Sequence, residues 1–387
     1  MTPLVDLALL LFGAKLGGII FSKLKQPSVL GELIAGITLG PSLLAIVNPS
    51  EFIKVVSELG LLFMILLVSL SIDWKRLEGK AEKYSWIEIT RIVFVAIIIF
   101  GISFVLRWDV YTTTIIGIIA VIASTAIVAR TLADTRQLDT PTGQTLMGLE
   151  VVDEIVAIIS VTIVANLVRG ETISIEPIFT ILLIVIGLFV VMGRVGFKFV
   201  TRITSSIQKY GIEEALFAFT ILLAFMLSSL TEGLNLGAML GVFVAGMLLS
   251  RSAQHPIITR KVKEIGESFF IPIFFASVGL TVNMFTAYQE IANVLFVMII
   301  LVVVKIITGV IAFRVHDYTT SESLKIASGF LTFSEMSILI AAMAVSKLPN
   351  AIYLSIIFSF IIVNVLSPFI INLLFKSEIK FSRRNWS

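Results

Sequence analysis

Three carboxylates crowd one short stretch of an apolar segment, Leu149-Glu150-Val151-Val152-Asp153-Glu154-Ile155. On a helix, residues three and four apart share a face, so Glu150, Asp153 and Glu154 project together. Like charges that close cannot all ionise comfortably away from water. At least one of these acids is therefore expected to take up and release a proton, and hard carboxylate oxygens also suit a small hydrated cation such as sodium. Lys305 interrupts a second apolar run, Leu301-Val302-Val303-Val304-Lys305-Ile306-Ile307, far enough from Arg314 that snorkelling to a segment end does not explain it. A buried partner is expected, and Asp153, in the only intramembrane carboxylate cluster, is the natural one. Such a pair can also serve structure alone.

Two further segments carry polar groups where an apolar run should continue: Ala123-Ser124-Thr125-Ala126, and Phe330-Leu331-Thr332-Phe333-Ser334-Glu335-Met336-Ser337. Serine and threonine also occur in continuous helices, bonding back to their own carbonyls. If the backbone unwinds there instead, freed carbonyls and half-helix ends can serve a cation between the two segments. Ser124, Thr125 and the chain around Phe333 and Ser334 would then complete the coordination. Glu335 is either another ligand or the neutraliser of an arginine such as Arg130; the second reading is favoured.

The elements that must hold these groups follow from composition. Hydrophobic residues make up 57% of the 387 residues and charged residues 14%, with a mean hydropathy of +1.04; a soluble globular chain has roughly 45–50% and about 25%. The chain is expected to lie in a bilayer. The absence of cysteine excludes disulfides, thiolate metal sites and a cysteine nucleophile, and two histidines exclude a histidine-rich metal site. No cofactor and no nucleic-acid partner are expected, because the basic residues can mark cytoplasmic loops. The first segment has no basic n-region or small-residue cleavage site, so it reads as a retained helix.

Thirteen apolar runs of spanning character follow one another, at approximately 3–22, 28–47, 58–73, 86–106, 112–132, 143–168, 176–200, 212–231, 236–250, 266–281, 290–313, 324–345 and 350–375. With the N-terminus outside, 22 of the 29 lysines and arginines fall on the cytoplasmic side, four outside, and Lys15, Arg91 and Lys305 within spans. That bias predicts a multi-pass protein of the plasma membrane with an outside N-terminus and a cytoplasmic C-terminus. A repeat is also visible. Leu30-Gly31 through Ala35-Gly36 in span two matches Leu240-Gly241 through Ala245-Gly246 in span nine. The next spans begin alike, at Glu58-Leu59-Gly60 and Glu264-Ile265-Gly266, and the second copy of that span carries four extra residues. An offset of seven helices is odd, so equivalent helices cross in opposite directions, giving six plus six inverted helices with span seven as the joint.

On Gln26-Pro27-Ser28-Val29-Leu30-Gly31-Glu32-Leu33 with Leu39-Gly40-Pro41, Glu58-Leu59-Gly60, Ser124-Thr125-Ala126-Ile127-Val128, Val151-Val152-Asp153-Glu154, Pro272-Ile273-Phe274-Phe275 and Lys305, the chain resembles the second monovalent cation:proton antiporter family, in its Kef-type and NapA-type branch. The resemblance implies an all-α polytopic membrane protein of thirteen helices with two broken, crossing helices, spans five and twelve, as in the NhaA/NapA-like fold. It implies a homodimer working by elevator-type alternating access. Residues 1–85 and 211–285 would form the dimerisation domain, 86–170 and 286–376 the mobile core, 171–210 the linker helix and 377–387 a short cytoplasmic tail. Asp153 falls on the first of the paired aspartates of sodium-selective members, which they pair with the lysine matched by Lys305, and Glu154 on the second, the ion-binding carboxylate. Here the second acid is Glu, and the extra methylene could change which cation fits.

The expected activity is sodium:proton antiport, with lithium as a further cargo and potassium:proton antiport as the nearest alternative. Kef-type potassium systems have Gln before Asp and usually a C-terminal nucleotide-sensing domain; this sequence has Val152 before Asp153, and with Ser387 as its last residue no such domain is expected. A transporter and not an enzyme is expected. An intramembrane aspartyl protease needs two aspartates on separate helices, one in a Gly-x-Gly-Asp setting, and span six has neither. A channel is also disfavoured, since no Thr-Val-Gly-Tyr-Gly filter is present. If Lys305 pairs with Asp153 and loses its proton as sodium enters at Glu154, two protons would cross for each sodium.

Overall fold

The computed structural model describes residues 3–24, 26–71, 80–135, 137, 140–168, 196–209, 213–234 and 238–382, and every regular element among them is helical. In chain order these are α1 (Pro3–Lys23), α2 (Ser28–Leu39), α3 (Glu51–Ser71), α4 (Ala81–Leu106), α5 (Val110–Val121), α6 (Thr125–Asp134), α7 (Pro141–Val168), α8 (Phe197–Lys209), α9 (Glu213–Gly233), α10 (Ala238–Ser250), α11 (His255–Ile265), α12 (Ile271–Leu280), α13 (Met284–Gln289), α14 (Ile291–Val315), α15 (Thr320–Gly329), α16 (Glu335–Ala344) and α17 (Asn350–Ser382). A π-helical turn at Gly266–Phe270 joins α11 to α12, within the stretch where the second repeat copy has its extra residues. Most of the expected seventh span lies outside the described residues.

By length and apolar composition, six of these helices could cross a membrane: Pro3–Lys23, Glu51–Ser71, Glu82–Leu106, Glu214–Gly233, Ile291–Val315 and Asn350–Phe375. Ser28–Leu39, Val110–Val121, Ala238–Ser250 and Glu335–Ala344 are apolar but shorter. The short ones have identifiable limits. Asp109 caps α5, its Oδ1 accepting from Thr112 N at 2.9 Å. Thr319 and Glu322 form a reciprocal capping box at the start of α15. Ser334 caps α16, its Oγ accepting from Met336 N at 3.2 Å.

The chain divides into two compact units, Met1–Ile72 with Val161–Met284, and Asp73–Ser160 with Phe285–Ser387. In the first unit, helices approach closely where the repeated glycines lie, Gly31, Gly36 and Gly241 against main chain and Gly246 against the Ser69 side chain. A Cβ at Gly31 of α2 would strike the Gly17 carbonyl of α1, and one at Gly241 of α10 the Leu227 carbonyl of α9. Gly36 of α2 faces Ala276 of α12, while its counterpart Gly246 of α10 faces Ser69 of α3. Matched glycines thus make matched contacts, since without lipid-excluding apolar force between helices, close van der Waals approach must hold them. In the second unit, α14 packs on α4, α15 and α17, and a buried cluster including Tyr84, Leu132, Leu146, Phe313, Phe330 and Phe375 fills the interior.

Candidate functional site

The second unit contains two helices that stop in mid-course. Helix α5 ends at Val121, Ile122 is extended (φ −72°, ψ 135°), and α6 begins at Thr125. Helix α15 ends at Gly329 and α16 begins at Glu335. These breaks fall on the two polar interruptions of the sequence. Stopping a helix strands main-chain groups, and hydrocarbon offers no water to satisfy them.

Side chains from four uninterrupted helices take that role. From α4, Arg91 Nη1 donates to Val121 O at 2.5 Å. From α14, Lys305 Nζ donates to Ile122 O at 2.5 Å and to Thr332 O at 3.2 Å, so one ammonium bonds a carbonyl of each break. From α7, Asp153 Oδ2 accepts from Ala123 N at 2.6 Å. From α17, Asn364 accepts from Phe333 N and donates to Phe333 O, both at 2.8 Å. The breaks also bond each other, Ser124 N donating to Thr332 Oγ1 at 2.8 Å. The cations sit over rings as well, Arg91 4.1 Å from the Phe330 centroid and Lys305 4.7 Å from that of Phe333.

The expected Lys305–Asp153 pair is not formed. Asp153 is ion-paired with Arg91 instead, through Oδ1 and Nη2. Arg91 also grips Glu88 in a two-point contact, Nη2 to Oε1 at 2.5 Å and Nε to Oε2 at 3.0 Å. The physical reason is shape. A planar guanidinium can bind two carboxylates and a carbonyl at once, whereas an ammonium offers three hydrogens in a compact cone, here directed at main-chain oxygens. Arg91, Lys305, Glu88, Asp153 and Glu150 are all essentially inaccessible.

Arg91, a cation within a span, and Glu88 carry roles here that the sequence expectations do not include. The signal was present: Trp86-Ile87-Glu88-Ile89-Thr90-Arg91-Ile92 puts two charges three residues apart in an apolar run, where charge needs a reason. Asn364 carries no comparable signal, being a single amide in a long helix.

The remaining acids gather at the start of α6. Thr125 Oγ1 lies 2.8 Å from Glu154 Oε1 and 3.2 Å from Glu150 Oε2. Among the described residues the second oxygens of both carboxyls, Glu154 Oε2 and Glu150 Oε1, are buried without a hydrogen-bond partner. The structure therefore brings Ser124, Thr125, Glu154 and Asp153 together, with Lys305 at the crossing of the breaks. The backbone of Phe333 is held by Asn364, and the Ser334 hydroxyl caps α16, so both are occupied in shaping the second break. Glu335 opens α16, close enough to Glu154 for their charges to interact. The side chain of Arg130 lies outside those described, and so does the expected Glu335–Arg130 pair.

A family model described as "Sodium/hydrogen exchanger, transmembrane" matches residues 8–377. Among individual proteins, the chain is 27% identical to GerT of Bacillus cereus, a probable Na+/H+ antiporter, over 87% of this chain and 89% of that protein. It is 23% identical to GerN of the same organism, a Na+/H+-K+ antiporter, over 94% of each. The fold is similar to the sodium proton antiporter MjNhaP1 from Methanocaldococcus jannaschii, with a TM-score of 0.77 at 18% identity, covering 95% of this chain and 96% of that one.

Proposed function

Because the chain belongs to the sodium/hydrogen exchanger family, matched over residues 8–377, we propose that it is a secondary active sodium:proton antiporter of the plasma membrane that also accepts lithium. The observation that carries the reading is the Glu154 carboxyl: one oxygen bonds Thr125, the other is buried and unpartnered among the described residues, and both lie beside a broken helix. A carboxyl so placed holds a proton or a bare cation, and not both. Competition for one group couples the two fluxes without any covalent step.

Ser124 and Thr125 stand nearest the cargo, with Phe333 and Ser334 shaping the opposite wall. Asp153 and Lys305, which were expected to exchange protons as a pair, serve in this reading as the fixed frame, because Asp153 is bound to Arg91 and Lys305 to two carbonyls. The proposal includes thirteen spans in two inverted six-helix repeats, an outside N-terminus, a cytoplasmic C-terminus and a homodimer. In it, residues 86–170 and 286–376 carry the site by an elevator-type movement against 1–85 and 211–285.

Potassium:proton antiport is the second reading, favoured by the longer Glu154 side chain in place of the aspartate of sodium-selective members. The test is cation-driven proton movement in proteoliposomes. The wild-type protein should acidify or alkalinise the lumen with sodium and lithium gradients, and Glu154→Gln should fall to the rate of empty liposomes. A Glu154→Gln variant exchanging at the wild-type rate would remove Glu154 from the site, and a response to potassium alone would favour the second reading.

A further inference from the structure

Glu150 has no place in the exchange just described, yet it is fully buried, 0% exposed, one helical turn before Glu154 on the same face of α7. Its Oε2 is 3.2 Å from the Thr125 hydroxyl that also touches Glu154 Oε1 at 2.8 Å. A hydroxyl carries one hydrogen, so it cannot donate fully to two carboxylates. The arrangement calls for a proton on one of the acids, which then donates to Thr125 while Thr125 donates to the other. Glu150 and Glu154 are in this sense one bridged pair.

Neither acid has a cation of its own. Arg91 is bound to Glu88 and Asp153, Lys305 to main-chain carbonyls, and among the described residues no ion pair reaches Glu150 or Glu154. Among the described residues each retains a buried, unpartnered oxygen, Glu150 Oε1 and Glu154 Oε2. Unsatisfied buried carboxylate oxygens are costly unless something occupies them part of the time.

We propose that Glu150 is a second cargo-binding carboxylate of the exchange site and its specificity-determining residue, holding the cation jointly with Glu154 and Thr125. The inference rests on the exchange reading and names the feature that sets its selectivity. Two carboxylates and a hydroxyl on rigid helices give a stronger field than one carboxylate, and a stronger field favours the smaller ion, sodium or lithium, over potassium. It also counters the effect of the longer Glu154 side chain, because a second acid restores the charge density that a retracted aspartate would have supplied.

The experiment compares wild-type protein with Glu150→Gln and Glu150→Asp in proteoliposomes, reading half-saturating sodium, lithium and potassium against maximal rate. Glutamine copies the shape of a protonated Glu150 and still accepts from Thr125, so the fold should persist. Glu150→Gln should raise half-saturating sodium and lithium by about tenfold and change potassium much less. A wild-type sodium response in that variant, or equal rises for sodium and potassium, overturns the proposal and leaves Glu150 a neutral structural acid. Where turnover is too slow to read, sodium-dependent thermal stabilisation in detergent replaces it: its midpoint should shift about tenfold in Glu150→Gln and less in Glu150→Asp, and an unshifted midpoint overturns the proposal. Wild-type liposomes without any cation-driven proton flux would defeat the exchange reading itself, whereas wild-type flux with an unaltered Glu150→Gln defeats only the role of Glu150.

Discussion

The two compact units solve the problem of apolar surroundings in opposite ways. In the first, Gly31 and Gly36 of α2 and Gly241 of α10 bring helices into contact with neighbouring main chain. In the second, the chain breaks between α5 and α6 and between α15 and α16, and the stranded main chain is bound by Arg91, Asp153, Lys305 and Asn364. Close packing suits a part whose shape is its task. Buried polar groups are costly to bring together and are justified where a cation must be met by oxygen atoms. The contrast teaches that stability in the second unit depends on the side chains that bind the stranded main chain, and in the first on the absence of a few side-chain atoms.

The largest break in that contrast should come from Arg91→Leu. It leaves Glu88 and Asp153 buried without their cation and Val121 O without its donor, and removing one partner of a buried pair costs about 3–5 kcal/mol. Thermal unfolding in detergent should show that loss, or no folded protein should accumulate; an unfolding temperature equal to wild type would mean that the pairing is dispensable. Next, Gly36→Val in α2 should cost about 1–3 kcal/mol through collision with the Ala276 carbonyl, while Gly101→Ala in α4, with nothing within 4 Å of its added Cβ, should be neutral. Equal effects from the two would sink the backbone-contact argument. The smallest change is Thr319→Ala, which removes the capping box of α15 and should cost about 1 kcal/mol in the same measurement, with exchange retained.

Much of this organisation could be read from residue types. Apolar runs announced the membrane helices, and the polar interruptions at Ser124-Thr125 and Thr332-Phe333-Ser334 fell where α5 and α15 stop. The periodicity of Glu150, Asp153 and Glu154 put them on one face, where the structure has them. What failed was partner choice. Asp153 and Lys305 were matched because each needed an opposite charge, but sequence does not say which helices are neighbours. Arg91, on α4, reaches Asp153 with a geometry that Lys305 does not match. Asn364 was invisible for another reason: its task is to bond a main chain whose course depends on the break itself.

The amide of Asn364 meets the N–H and the carbonyl of Phe333 at once, as a residue on an adjacent β-strand would. With Lys305 fastening both interruptions and Asp153 fastening the first, the interruptions are welded joints and not swivels. A kinked rod ordinarily bends at its kink. Here bending would tear bonds to α4, α7, α14 and α17 simultaneously, so under the proposed exchange reading any displacement of the carboxylates would carry those four rods along as one block. Flexing of a half-helix at its interruption is thereby mechanically disfavoured.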